Sequence, residues 1–104
     1  MLAIIARVEL AAEDADAYIE AASRLVAPTR QEPGCQWYAM GRDLCDPNVV
    51  WISEQWESKE ALDNHLRMQQ IKDFLEVASA LKILSMETRQ YEVTSVGPVV
   101  MPEG

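Results

Sequence analysis

The sequence predicts an α+β fold, a ferredoxin-like split βαβ sandwich with a four-stranded antiparallel sheet, and three observations lead there. Segments whose apolar residues recur every two positions alternate with segments recurring every three or four, in the order β-α-β-β-α-β. Two turn-forming stretches, QEPG at 31–34 and DPN at 46–48, fall where that order needs the chain to reverse or pause. The stretch VVWISEQWESKEALDNHL, 49–66, passes from strand pattern to helix pattern at a sharp join.

Residues 2–10, LAIIARVEL, place Leu2, Ile4, Ala6, Val8 and Leu10 on one face and Ala3, Ile5, Arg7 and Glu9 on the other, a strand with one packed and one mixed face. Over 13–29 the period lengthens, and Ala15, Tyr18, Ile19, Ala22, Leu25 and Val26 line one helical stripe. Glu13 and Asp14 suit the positive end of that helix, Arg24 and Arg30 the other, and Pro28 predicts an end or bend before it. A second strand over 35–43 alternates Cys35, Trp37, Ala39 and Gly41 with Gln36, Tyr38, Met40 and Arg42, and neither set is simply polar. It forms an antiparallel hairpin with the third strand, where Val50, Ile52, Glu54 and Trp56 share a face.

Ser58 then offers an N-cap oxygen and Glu60 a first-turn charge, before Ala61, Leu62, His65 and Leu66 follow at helical spacing. Met68, Gln69 and Gln70 mark a break, and Ile71, Phe74, Leu75 and Ala78 continue as a longer helix. Residues 81–93 return to a strand pattern, with Ile83, Ser85, Glu87, Arg89 and Tyr91 on one side and Leu84, Met86, Thr88, Gln90 and Glu92 on the other. The domain is expected over 1–93. A tail over 94–104, with Pro98, Pro102 and a VVM triplet, reads either as an arm on a partner subunit or as a loosely ordered end.

A chain of 104 residues holds one domain and leaves much of its surface exposed, so association would help it. With both helices on one face, the other face of the sheet still carries apolar and aromatic residues. A two-fold homodimer, sheet facing sheet and enclosing a pocket in each subunit, would cover them. An apolar fraction of 49% with 25% charged residues fits neither a membrane nor a disordered chain. No apolar run approaches the roughly 18 residues of a membrane helix, and MLAIIARVEL lacks the features of a secretory leader, so a cytoplasmic protein without membrane contact is expected. The net charge of −8 disfavours nucleic acid and anionic membrane as partners. Cys35 and Cys45 have no metal-binding spacing and are expected as free, partly buried thiols.

No GxGxxG, phosphate loop, HExxH, EF-hand loop or GxSxG elbow occurs, and one histidine cannot build a histidine-rich metal site, so neither cofactor nor metal is expected. His65 is the one side chain whose ordinary pKa lies near neutrality and is the natural general base; a hydrogen-bonded structural histidine is the other reading of its place on an apolar helical face. Glu54 among apolar neighbours calls for a partner, with Arg7 or Arg42 as candidates. Trp37, Trp51 and Trp56 suit stacking on a planar ligand or packing in a core or interface. Tyr38 and Tyr91 can donate hydrogen bonds to a bound ligand. An enzyme requires an enclosed pocket that His65 reaches, whereas a His65 packed away from any cavity would be structural.

The segment EQWESKEALDNHL, 54–66, with its E-x-W-x-S-x-E-A-L-x-x-H pattern, resembles the antibiotic biosynthesis monooxygenase family of small dimeric α+β-barrel proteins. EPGC at 32–35, the Tyr38 position and Pro47 before the third strand resemble it too, and the likeness covers roughly 2–92. It implies a homodimer and a small aromatic or quinone-like ligand. By resemblance to the quinol and anthrone oxygenases it implies reaction of an electron-rich phenolic substrate with molecular oxygen, without flavin or metal. His65 would be the base, Glu54 its orienter and the tryptophans the walls. The family also includes an isomerase and members without assigned substrates, so an isomerase or a non-catalytic binding dimer stands as the alternative. The haem-degrading branch fits less well, since Arg7 stands where its pattern has asparagine, His65 where it has tryptophan, and Leu75 or Glu76 near its haem-ligating histidine.

Overall fold

The computed structural model describes residues 1–104 and contains β1 (Leu2–Leu10), α1 (Ala15–Arg30), β2 (Cys35–Arg42), β3 (Val49–Trp56), α2 (Lys59–Leu66), α3 (Gln69–Ser79) and β4 (Ile83–Glu92). A single 3-10 turn, Ala12–Asp14, joins β1 to α1. The strands form one open antiparallel sheet in the order β2-β3-β1-β4, the ferredoxin-like arrangement, with β2 and β4 as its edges. No helix is long and apolar enough to cross a membrane.

Register decides which side of each strand meets the helices. Leu2, Ile4, Ala6 and Val8 of β1 stand opposite Trp56, Glu54, Ile52 and Val50 of β3, so the alternate apolar residues of both strands share one face. At one end of that face Val8, Leu10 and Val50 pack on Ala15, Tyr18 and Ala22 of α1 and Ala78 of α3. At the other end Leu2, Tyr38 and Trp56 pack on Ala61 and Leu62 of α2.

Helix α1 does not stop at Pro28 as its sequence suggests but runs two residues further, to Arg30. Proline removes one backbone donor close to the helix end, a modest loss there, while Thr29 beyond it is fully buried and holds the last turn on the core. Helix α2 begins as expected, with Ser58 Oγ accepting the Ala61 N–H at 3.1 Å. Arg67 and Met68 break the chain before α3.

Strict alternation fails at two irregularities. The β1–β4 register shifts between Glu9 and Leu10, so Ile83 packs on the helix side while Ser85 pairs with Glu9 on the other. The β2–β3 register shifts between Cys35 and Trp37, which sets Cys35 opposite Trp56 rather than on the Trp37 side. Both cysteines are free; Cys35 is half-buried and Cys45 is exposed rather than partly covered.

The turn between α1 and β2 is tight enough to need glycine. Gly34 has φ +82°, and a Cβ there would lie 2.5 Å from Ala61 Cβ of α2. Gly34→Ala should therefore lose more than about 1 kcal/mol in denaturant unfolding. An unchanged midpoint would mean that the turn can back away from α2.

Candidate functional site

Two-residue parity places Glu54 on the helix side of β3 with Trp56, whose indole Nε1 donates to Glu54 Oε1 at 3.0 Å. On α2, Ala61, Leu62 and His65 form the buried stripe, which carries the imidazole down onto the end of β3. Its ring centroid lies 4.7 Å from that of Trp56 at a tilt of 33°, and 5.7 Å from that of Tyr38, edge-on at 62°. His65, Glu54, Trp56 and Tyr38 are thus brought together.

A residue that the strand and helix patterns did not mark completes the group. Glu32, in the turn between α1 and β2, is buried, and both of its carboxylate oxygens lie 3.0 Å from His65 Nδ1. Gln70 at the start of α3 donates to Glu32 Oε2 at 3.3 Å. In sequence the one available signal was the EPGC stretch itself, since a glutamate beside proline and glycine otherwise reads as a solvated turn residue.

Burial holds the Glu54 carboxyl above its ordinary range. The Trp56 hydrogen bond and the charge of His65 pull the other way, and the charge of Glu32 adds to the rise. The Tyr38 phenol is also pushed up, first by burial and then by Glu54.

Beside this cluster a cavity of ≈ 370 Å³ opens between the sheet and the helices. Ile4, Ala6, Val8, Ile52 and Met86 form its sheet wall, and Tyr18, Leu62, Leu66 and Leu75 its helix wall. Glu54, Thr88, Arg89 and Gln90 supply its polar atoms. Tyr18, which the sequence pattern assigned to the apolar stripe of α1, belongs to this wall. The group that meets the cavity is Glu54 and not His65, which is 3% exposed and absent from the lining. His65 is nonetheless not sealed. Its Nε2 makes no hydrogen bond, yet Thr29 Oγ1 is the sole fully enclosed side-chain polar atom without a partner, so Nε2 keeps some accessible surface.

The remaining expected site residues stand on the opposite face of the sheet. Arg7, Trp51 and Tyr91 surround a separate hollow of ≈ 250 Å³ with Ile5, Glu87 and Arg89. Trp37 is on that face as well, 60% exposed, its Nε1 donating to Ser53 Oγ at 2.8 Å. The expected pairing of Glu54 with Arg7 or Arg42 is not formed. Arg7 points to the other face and lies 3.5 Å from Glu9. Arg42 shares the Glu54 face but sits opposite Val50, four positions along β3 and so about 13 Å away by strand rise, where it pairs with Asp16 at 2.7 Å. The largest apolar hollow of the single chain lies under the helices. No three His, Cys, Asp or Glu side chains converge to hold a metal ion.

This arrangement can take a proton from an apolar guest through a carboxylate of raised proton affinity, close to an imidazole that is itself hydrogen-bonded to Glu32. Comparison with known proteins gives the site a context. The family profile described as antibiotic biosynthesis monooxygenase matches residues 1–77. A crystal structure of a Pseudomonas aeruginosa protein superposes with a TM-score of 0.82 at 29% identity, over 90% of this chain and 94% of that one. A structure described as an antibiotic biosynthesis monooxygenase does so at 0.81 and 26%, over 91% and 100%. A Deinococcus radiodurans protein shares the fold at 0.87 and 23%, over 97% and 100%. An uncharacterized protein of Synechocystis is 23% identical over 92 residues, which are 88% of this chain and 63% of its own length.

Proposed function

The chain belongs to the antibiotic biosynthesis monooxygenase family, and from that premise we propose that it is a cofactor-independent monooxygenase acting on an electron-rich aromatic, quinol-like or anthrone-type, with molecular oxygen. The observation that carries this reading is Glu54, a carboxylate held above its ordinary range on the wall of an apolar cavity. A space of ≈ 370 Å³ suits a small aromatic guest. Glu54 removes the acidic proton of the guest, with His65 behind it as the exchanging partner. The electron-rich anion then passes an electron to oxygen and the two radicals combine through a new carbon–oxygen bond. For an anthrone-type methylene the balance is CH2 plus O2 giving C=O plus water. The protein's part is to orient the guest and keep water out; the guest supplies the electrons.

Enclosure of His65 favours one competing reading, a small-molecule-binding dimer without turnover. An aerobic and anaerobic screen of a small quinol and anthrone panel, following oxygen uptake and product mass, separates the two. Substrate-dependent oxygen consumption with one oxygen atom gained is the expected result. Thermal stabilisation by a guest that emerges unchanged would favour the binding module.

The homodimer belongs to the same proposal. Ile5, Trp37, Trp51 and Tyr91 leave apolar surface bare on the open face, and Val96, Val99, Val100 and Met101 are exposed in the tail over 94–104. Facing sheets, with each tail laid on the partner, cover both, and Arg7, Trp37, Trp51 and Tyr91 then serve the interface. A monomeric mass by light scattering at micromolar concentration would remove this arrangement.

A further inference from the structure

Resting on the reading of the cavity as a site of proton abstraction, we propose that Glu32 is a positioning residue that locks His65 as the Nδ1–H tautomer and leaves Nε2 as its proton-accepting atom. An ionised carboxylate can only accept, so an imidazole nitrogen 3.0 Å from both of its oxygens must donate. In a neutral ring this leaves the lone pair on Nε2, the nitrogen that makes no hydrogen bond and keeps accessible surface.

The lock is built rather than incidental. The Glu32 and His65 side chains are only 5% and 3% exposed, so water is poorly placed to substitute for either partner. Gln70 holds the second oxygen of Glu32, and the Glu32 backbone N–H donates to Thr29 O at 3.0 Å, which fixes the turn that carries it. The charged or titratable groups facing the imidazole come from three elements: Glu32 from the turn, Tyr38 from β2 and Glu54 from β3. Trp56 and Gln70, from β3 and α3, carry no charge. Glu32 is the one hydrogen-bonded to the ring.

His65 is the sole histidine of the chain, so its tautomer can be read directly from long-range proton–nitrogen correlation spectra of the whole labelled protein. The neutral wild-type ring is expected as Nδ1–H. Glu32→Gln, which keeps an acceptor oxygen, should retain that form, and Glu32→Ala should shift it toward the Nε2–H form that free histidine favours. A wild-type ring already in the Nε2–H form, or one unmoved in Glu32→Ala, overturns the lock; if Glu32→Ala fails to fold, Glu32→Leu, which keeps the bulk but has no acceptor, is read by the same criterion. With a substrate from the oxygen-uptake panel, Glu32→Ala should lose about 10²-fold in kcat with KM little changed, and Glu32→Gln should recover most of it. Unchanged kcat after loss of the lock overturns the positioning role. Absence of oxygen uptake in the wild type overturns the role together with the monooxygenase reading, while the spectra still decide the lock by themselves.

Discussion

Trp56→Ala should cost about 3–5 kcal/mol of folding free energy, the largest loss expected from any single side chain here. Trp56 is 0% exposed and is the largest fully buried side chain of the molecule. It closes the end of β3 against Leu2, Tyr38, Ala61 and Leu62, and its ring also supports His65. A domain of this size has about 5–15 kcal/mol in total, so the variant should be marginal at 37 °C. Trp56→Phe separates the two contributions of the indole. It keeps most of the apolar contact but removes the Nε1–H that reaches Glu54, and should lose much less. Urea unfolding measures both. A loss below about 1 kcal/mol for Trp56→Ala would mean that α2 collapses into the space, in which case His65 should move with it.

The same packing shows why part of the site was legible in the sequence and part was not. Glu54, Trp56 and His65 lie within one short strand-to-helix segment, where periods of two and of 3.6 fix relative direction, so their meeting could be inferred from spacing alone. Glu32 could not be reached that way. It is 33 residues upstream of His65, in a turn whose composition reads as solvated, and two positions on Gly34 lets that turn press against Ala61. The side on which the cavity opens was equally hidden. Both faces of the sheet are apolar in part, and alternation separates faces without saying which one the helices cover. Arg7 illustrates the consequence, since its parity already set it apart from the packed face of β1, yet only the β1–β3 register shows that this is also the face away from Glu54. Tyr18 is buried in the core as its spacing on the α1 stripe predicts, and it borders the cavity as well, which spacing alone does not show.

Glu54→Gln should lower turnover by about 10²–10⁴-fold while raising Tm at neutral pH. The amide cannot take the substrate proton, yet it keeps the shape of the side chain and an oxygen for the Trp56 N–H. The stability effect follows from proton linkage. Burial raises the proton affinity of folded Glu54 above the ordinary value of 4.5, so over the interval between the unfolded and folded pKa values the folded chain holds a proton that the unfolded chain has released. Stability from this group therefore falls as pH rises through that interval and stays lower above it. Glutamine has no such decline, so the Tm advantage of the variant should be present at pH 7 and vanish as pH drops below about 4, where both states carry the proton. A variant less stable than wild type at pH 7 would show that the site stabilises the Glu54 charge, and burial would no longer account for its behaviour. Unchanged turnover would take Glu54 out of the chemistry and leave His65 Nε2 as the remaining candidate base. Lost turnover together with gained stability would identify Glu54 as a carboxylate whose ionised form is kept at the expense of the fold, a pairing that an inert ligand-binding wall gives no reason to expect.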